Sequence, residues 1–335
     1  MPRSSLLEDR GKAAGAAGGI DRRYFVADLA AYYRDYLIPL AVFVASFAWC
    51  ATADWPLVVV PLVLASFSVH RAGAFVHEIT HRYSDPRMQG FIRLWNLTIG
   101  AVIQLPAPRF FKPHLVHHAR GTFGTKADPQ YLELRHDPGF MIFVLFVGPF
   151  LMPLLNFALM VTASLGVDAE ARLERFLQRH FDFTMGSEVE AQHRREVTTL
   201  SRYYLVLFAL YAAVLPQTVP LLYLVLVGGW LLVTLRIPLE HRMERHVDST
   251  DRHDQLVDSF TVEAPLAALL QPLGLRFHTA HHLYPGVPYH RLRQLHYELK
   301  ARGDAEYNRN VLGFWQAVRG PGRAVAARPA TAGRA

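Results

Sequence analysis

Cysteine is almost absent from this 335-residue chain, and its one copy, Cys50, lies inside an apolar run. A disulfide scaffold is therefore excluded, and no zinc-finger spacing occurs. Charge is scarce as well. Charged residues make up 19% of the chain and hydrophobic residues 51%, too apolar for disorder and too poor in charge for an ordinary soluble surface. The sequence contains no internal repeat and no Gly-rich phosphate loop. Residues 1–30, with Arg3, Arg10, Lys12, Arg22 and Arg23, lack an apolar segment and do not read as a signal peptide. They are expected to form a mobile basic leader, followed by one membrane domain over 31–319 and a disordered tail over 320–335.

What charge there is has one dominant sign. Lys and Arg exceed Asp and Glu by 35 − 28 = +7. Beside long apolar stretches, such an excess indicates the cytoplasmic faces of a membrane protein rather than nucleic-acid binding, and no nucleic-acid partner is expected. Two apolar runs, Leu37 to Thr52 and Pro56 to Val69, sit close enough to read as a helical hairpin. The run from Leu94 to Pro106 is too short to span and predicts an interfacial or re-entrant helix. Two further blocks follow, Phe140 to Val167 and Val197 to Leu239. Pro216 and Pro220 divide the second into two spans. The Arg-rich stretch between the blocks makes Phe140 to Val167 either a hairpin returning to the same face or two single crossings; the basic loop favours the hairpin. The expected fold class is thus all-α. It is a multi-pass transmembrane helical bundle of about four spanning helices plus interfacial helices, carrying a cytoplasmic histidine-rich cap.

Seventeen histidines are the feature that points to chemistry. His77 and His81 are four residues apart, while His114, His117, His118 and His278, His281, His282 each fall at i, i+3 and i+4. On a helix these offsets share a face, so several imidazoles on one segment can converge on metal. Asp85-Pro86, Pro113 and Pro285 bound the segments as helix starts and stops. Imidazole suits Fe, Zn, Cu and Ni. Eight histidines exceed the three or so protein ligands of a catalytic zinc, and instead suit two metals of larger coordination number, with iron the leading candidate.

The order HxxxH, HxxHH, then HxxHH followed by Leu283-Tyr284-Pro285-Gly286-Val287-Pro288, resembles the membrane-bound fatty acid desaturase family, which includes hydroxylases and ketolases. The resemblance covers about residues 35 to 300. It implies a non-haem di-iron centre, two Fe with O2 as co-substrate. It adds His241 as ninth ligand, since Arg236 to His241 is similar to the family's RxxxEH signature. Gly124 to Pro129 is also similar to a stretch in bacterial members. Glu78 and Glu240, each preceding or following a ligand, are expected to accept hydrogen bonds that fix imidazole tautomers. His70 reads as an interface residue, His246 and His253 as solvated, and His136, His180, His193, His290 and His296 as surface or structural groups.

The reading this supports is desaturation of a fatty acyl or lipid chain in a bacterial inner membrane, with the boxes facing the cytoplasm. An unactivated CH2 has no acidic proton, so metal and O2 must carry the hard chemistry while the protein binds and orients. Hydroxylation by the same centre is the alternative. Phe91 to Leu105 and the spans are expected to line an apolar tunnel for the chain. The substrate is expected on a lipid or acyl carrier. The sequence has no His-Pro-Gly-Gly segment of a fused cytochrome b5, so electrons are expected from a separate, ferredoxin-like donor attracted to the basic face. A membrane zinc peptidase is the rival, because His77-Glu78-Ile79-Thr80-His81 is a literal HExxH with Glu78 as base. That rival leaves two histidine boxes unexplained, and no Asp-Gly pair is present for a distant Asp ligand. A metal transporter would instead place its ligands inside the spans, whereas these clusters flank them.

Overall fold

The computed structural model describes residues 19–119, 121–125, 127–130, 138–181, 189–241, 256 and 258–319. Residues 1–18 of the expected leader, the tail from 320, and His136, His246 and His253 lie outside them. From Asp21 onward the leader is packed rather than loose. Asp21 caps a 3-10 turn over Arg22–Phe25 that buries Tyr24, whose hydroxyl donates to Glu298 at 2.5 Å.

The bundle begins with α1 (Leu29–Cys50), whose start is capped by the Asp28 carboxylate on the backbone N–H groups of Ala30 and Ala31. It returns through α2 (Val59–Gly73), completing the predicted hairpin. After a break at Ala74, α3 (Phe75–Arg82) continues nearly the same path. The Leu94 to Pro106 run folds as two short helices, α4 (Gln89–Leu97) and α5 (Ile99–Val102), interrupted at Thr98. Next come α6 (Ala107–His117), α7 (Pro138–Phe146), α8 (Gly148–Ser164), α9 (Ala169–Phe181), α10 (Arg194–Val214) and α11 (Val219–Glu240). As the prolines predict, Pro216 separates α10 from α11. Among the described residues three helices, Val59–Arg82, Ala191–Val214 and Pro216–Glu240, are long and apolar enough to cross a membrane. The 22-residue α1 carries Arg34 and Asp35 in its first half and an exposed apolar second half that includes Val42, Val44 and Trp49.

Direction follows from contacts at the helix ends. Tyr223, near the start of α11, donates its hydroxyl to Phe150 O at 2.9 Å at the start of α8. At the other end of α8, Arg202 donates to Ser164 O at 2.9 Å, and Arg194 pairs with Asp168 at 2.9 Å. Hence α8 runs from the end of the bundle remote from His241 to the histidine end. Packing between α2 and α11 is close because Gly228 is small: an added Cβ would lie 2.3 Å from Ser66 Oγ. Small residues at helix contacts are the usual device where no hydrophobic drive separates protein from lipid. Outside, Ile38, Val44, Val60, Leu154, Val206 and Leu210 stay exposed, an apolar belt that water would not tolerate and a bilayer covers.

The cap is built from α12 (Ala267–Leu270), α13 (His278–Leu283), α14 (Tyr289–Ala301), α15 (Ala305–Arg309) and α16 (Phe314–Arg319). A small parallel pair joins it, β1 (Thr261–Val262) with β2 (Val311–Leu312), in the register Thr261 to Val311. This pair, with the isolated bridges His241 to Ser259 and Thr261 to Phe277, is the departure from an all-helical fold among the described residues. Tyr32, Tyr36, Phe75, Phe91 and Trp95 form an aromatic seam among α1, α3 and α4, on which the cap's Tyr289 packs against Tyr32 and Phe75. Phe91, Trp95 and Ile99 are fully buried there, with Trp95 Nε1 donating to Ala72 O at 2.9 Å. These three side chains pack as core and do not line an open tunnel, contrary to the sequence expectation: apolar rings of this size gain most from close contact with one another.

Candidate metal centre

Each histidine box is delivered by a different element. His77 and His81 sit one turn apart on α3, at the point where the hairpin leaves the bundle. His114 and His117 lie on α6, with His118 closing that helix. His241 follows the last residue of α11 in extended conformation, bridged to Ser259. His278, His281 and His282 occupy α13, which is anchored by Thr279 Oγ1 donating to Ser259 O at 2.9 Å.

All nine predicted imidazoles converge, and they sort into two groups. One holds His77, His81, His114, His118 and His281; the other holds His117, His241, His278 and His282, with ligand atoms in each group within 4.8 Å of one another. Helical phase explains the partition. In each HxxHH box the i and i+4 rings point to one group and the i+3 ring, about 100° round from its i+4 neighbour, points to the other. The groups abut, with the His118 and His282 rings 4.4 Å apart and stacked.

Hydrogen-bond acceptors outside the groups set the tautomers. His117 Nδ1–H donates to the buried Asp128 carboxylate at 2.9 and 3.1 Å, and His241 Nδ1–H donates to Asp258 O at 3.1 Å. Both Nε2 atoms are then lone pairs, yet they face each other at 3.1 Å. Two lone pairs at that distance repel unless a cation lies between them, so the donor set fits a metal ion. His278 Nε2 adds contacts at 2.8 Å to His241 and 3.2 Å to His282. Ligands about 2.1 Å from a shared ion lie about 3 Å apart, so these separations suit imidazoles that would hold one ion between them. In the other group, His81 and His114 face each other at 2.9 Å and His118 and His281 at 3.1 Å, while His77 Nε2 is buried without a partner.

Burial favours the neutral form at six of these rings. Desolvation holds His114, His118, His241, His278 and His282 well below the usual histidine range, and pushes His281 down to about 3. Neighbouring imidazoles act in the same direction. Neutral rings are the form that binds metal.

Both glutamates depart from expectation. Glu78 accepts from the Tyr32 hydroxyl at 2.6 Å and from Tyr289 N at 3.1 Å, tying α1 and the cap helix α14 to α3. Glu240 pairs with Arg236 one turn earlier at 3.4 Å. Neither bonds an imidazole in the described contacts: Glu78 leaves α3 about 100° round the axis from His77, and Glu240 ends α11 just where the chain turns extended at His241. The acceptor that does so, Asp128, was missed by sequence reasoning as a functional residue. Its signal was the Gly124 to Pro129 stretch. Gly124 at φ 68 turns the chain so that Asp128 also accepts Gly124 N and Gln130 N, each at 2.9 Å. His70 is an interface residue, with Nε2 against Leu270 O at 2.9 Å. His290 accepts from Asp28 N, and buried His296 lies between Tyr307 and Glu263. His180 is exposed, and His193 packs beside Tyr83 and Phe111.

A helical membrane bundle capped by two adjoining all-imidazole groups defines the class: a membrane protein whose histidines could hold metal at one end of its bundle. The chain belongs to the fatty acid desaturase family, whose description matches residues 53–315. It is also 30% identical over 301 residues to a ceramide hydroxylase of Caulobacter vibrioides, covering 84% of each chain. The protein is accordingly an oxygen-dependent, lipid-modifying oxidoreductase.

Proposed function

We propose that this protein is a di-iron lipid hydroxylase acting on a ceramide or a related acyl lipid, with the nine imidazoles as its iron ligands. The observation that carries the reading is the pairing of a five-imidazole and a four-imidazole group with, among the described residues, no carboxylate in either. Similarity to a ceramide hydroxylase favours insertion of oxygen over desaturation. Bound iron would supply the activation of O2 that lets an unactivated C–H bond be broken.

The chain's own residues do the positioning. Asp128 and the Asp258 carbonyl hold His117 and His241 in the tautomer that presents Nε2. Arg82 donates to Gly286 O at 2.7 Å, fixing α3 against the loop after α13, so that two boxes keep their spacing. Glu78, turned toward Tyr32 and Tyr289, is not placed to serve as the base of a peptidase. In hydroxylation one oxygen atom enters the C–H bond and the other leaves as water, consuming two electrons and two protons. Desaturation uses the same electrons but releases both oxygen atoms as water. A separate acidic, ferredoxin-like donor would supply the electrons at a cytoplasmic face, where Arg276 and Arg293 provide complementary charge.

Mass spectrometry of lipids from cells expressing the protein under isotopically heavy O2 tests this. A product heavier than its precursor by one heavy oxygen atom is expected. A product lighter by two hydrogens makes the enzyme a desaturase instead. Unchanged lipids with iron-loaded protein would reject a lipid substrate.

A further inference from the structure

A cationic cavity lies apart from the imidazoles, where α8 ends and α9 begins. It has a volume of about 560 Å³ and is lined by Asp168, Arg172, Arg175 and Arg194, with Gly166, Val167 and Ala171 completing the wall. Ligand cavities typically run from about 300 to 1,000 Å³. Asp168 offsets one of the three guanidinium groups through its 2.9 Å pair with Arg194, leaving a net charge of +2 on this lining. Its other role is to cap α9, accepting from Ala171 N at 3.1 Å. Gly166, at φ 75 and with open space where a Cβ would stand, makes the tight turn that opens the cavity.

Two further observations say what fills it. Leu165, Val167 and Phe176 stand 72%, 37% and 51% exposed beside the arginines, although a soluble surface would cover them. Below them the outer faces of α8 and α10 continue as exposed apolar side chains, Leu151 and Leu154 on one helix and Val206 and Leu210 on the other. The cavity also lies at the histidine end of α8, where the apolar belt stops. A positive head site directly above an apolar track matches a molecule with an anionic head and hydrocarbon tails. A free anion would use only the first part, and an acidic soluble protein would gain nothing from the second.

We propose that this cavity binds the phosphate of an anionic membrane phospholipid, whose acyl chains lie along α8 and α10. Guanidinium groups suit the phosphate oxygens through paired N–H donors. The bound lipid would seat α9 at the membrane surface. That helix is already tied to α6, the carrier of His114 and His117, by the buried Arg109–Glu170 pair at 2.7 Å.

The test uses the full chain in detergent, with native mass spectrometry against phosphatidylglycerol, phosphatidylcholine and inorganic phosphate. The expected result is one retained phosphatidylglycerol per chain, preferred over phosphatidylcholine. Arg172→Gln with Arg175→Gln should weaken that preference roughly thirtyfold, since each cation at a membrane surface contributes about fivefold. Asp168→Asn should strengthen binding, because it removes the opposing charge while asparagine still caps the helix. This opposite sign separates the site from a folding defect. The proposal is overturned if the arginine variant keeps the preference, if Asp168→Asn weakens it, or if inorganic phosphate displaces the lipid at equal concentration. It is also overturned if these changes alter only the binding of an acidic electron donor.

Discussion

Replacing Asp128 by Asn probes the link between the loop after α6 and the four-imidazole group. One carboxylate oxygen accepts from Gln130 N at 2.9 Å and from His117 Nδ1 at 3.1 Å; the other accepts from Gly124 N and His117 Nδ1, both at 2.9 Å. Whichever way an amide turns, its NH2 group meets a backbone N–H, and the loop or the imidazole loses its acceptor. A buried donor left unsatisfied costs about 1–3 kcal/mol. Loss of such an outer partner weakens metal binding by about ten- to a hundredfold. The assay is iron retention under graded chelator, read with thermal unfolding. Asp128→Asn should lose iron first from the His117 group, falling from about two irons per chain toward one while the His77 group keeps its ion. Retention identical to the parent, with unchanged Tm and activity, would refute the reasoning.

Other expectations follow from the same geometry. His241→Ala should abolish turnover with helical content intact and lower the iron count by about one; full activity would remove His241 from the ligand set. Gly228→Ala should lower stability by about 1–3 kcal/mol through overpacking against Ser66, and Ser66→Gly in the same chain should restore most of it; equal Tm in all three variants contradicts the close contact. Glu78→Gln should keep substantial activity and lose stability only modestly, whereas a peptidase base would lose turnover by orders of magnitude. The metal-free protein should lose stability as pH falls below about 6.5. His114, His118, His241, His278 and His282 stay neutral when folded, and His281 does so down to about 3, while the unfolded chain takes up protons from about 6.5. The loss approaches about 1.4 kcal/mol per pH unit for each such histidine, and a Tm flat between pH 7 and 5.5 would contradict it.

Much of this arrangement is legible in the sequence because both signals are periodic. Apolar runs of spanning length and histidines at helical offsets state their own geometry, so the hairpin, the Pro216 division and all nine converging imidazoles follow from spacing and from family resemblance. The sorting of each HxxHH box between two groups also follows from helical phase, once the second group is known to exist. What spacing does not encode is the direction of a side chain set by distant partners. Glu78 adjoins His77, yet it serves Tyr32 and Tyr289, 46 and 211 residues away. Asp128 bonds His117 only because Gly124 turns the loop back. Phe91 and Trp95 read as lipid-facing or tunnel-lining by composition, but the aromatic seam absorbs them.

Metal analysis of the anaerobically purified protein tests the central claim most directly. Two adjoining all-imidazole groups predict about two irons per chain and negligible zinc, falling by about one when His81 or His278 is replaced by Ala. A single zinc per chain, or an iron count indifferent to both substitutions, would contradict the account.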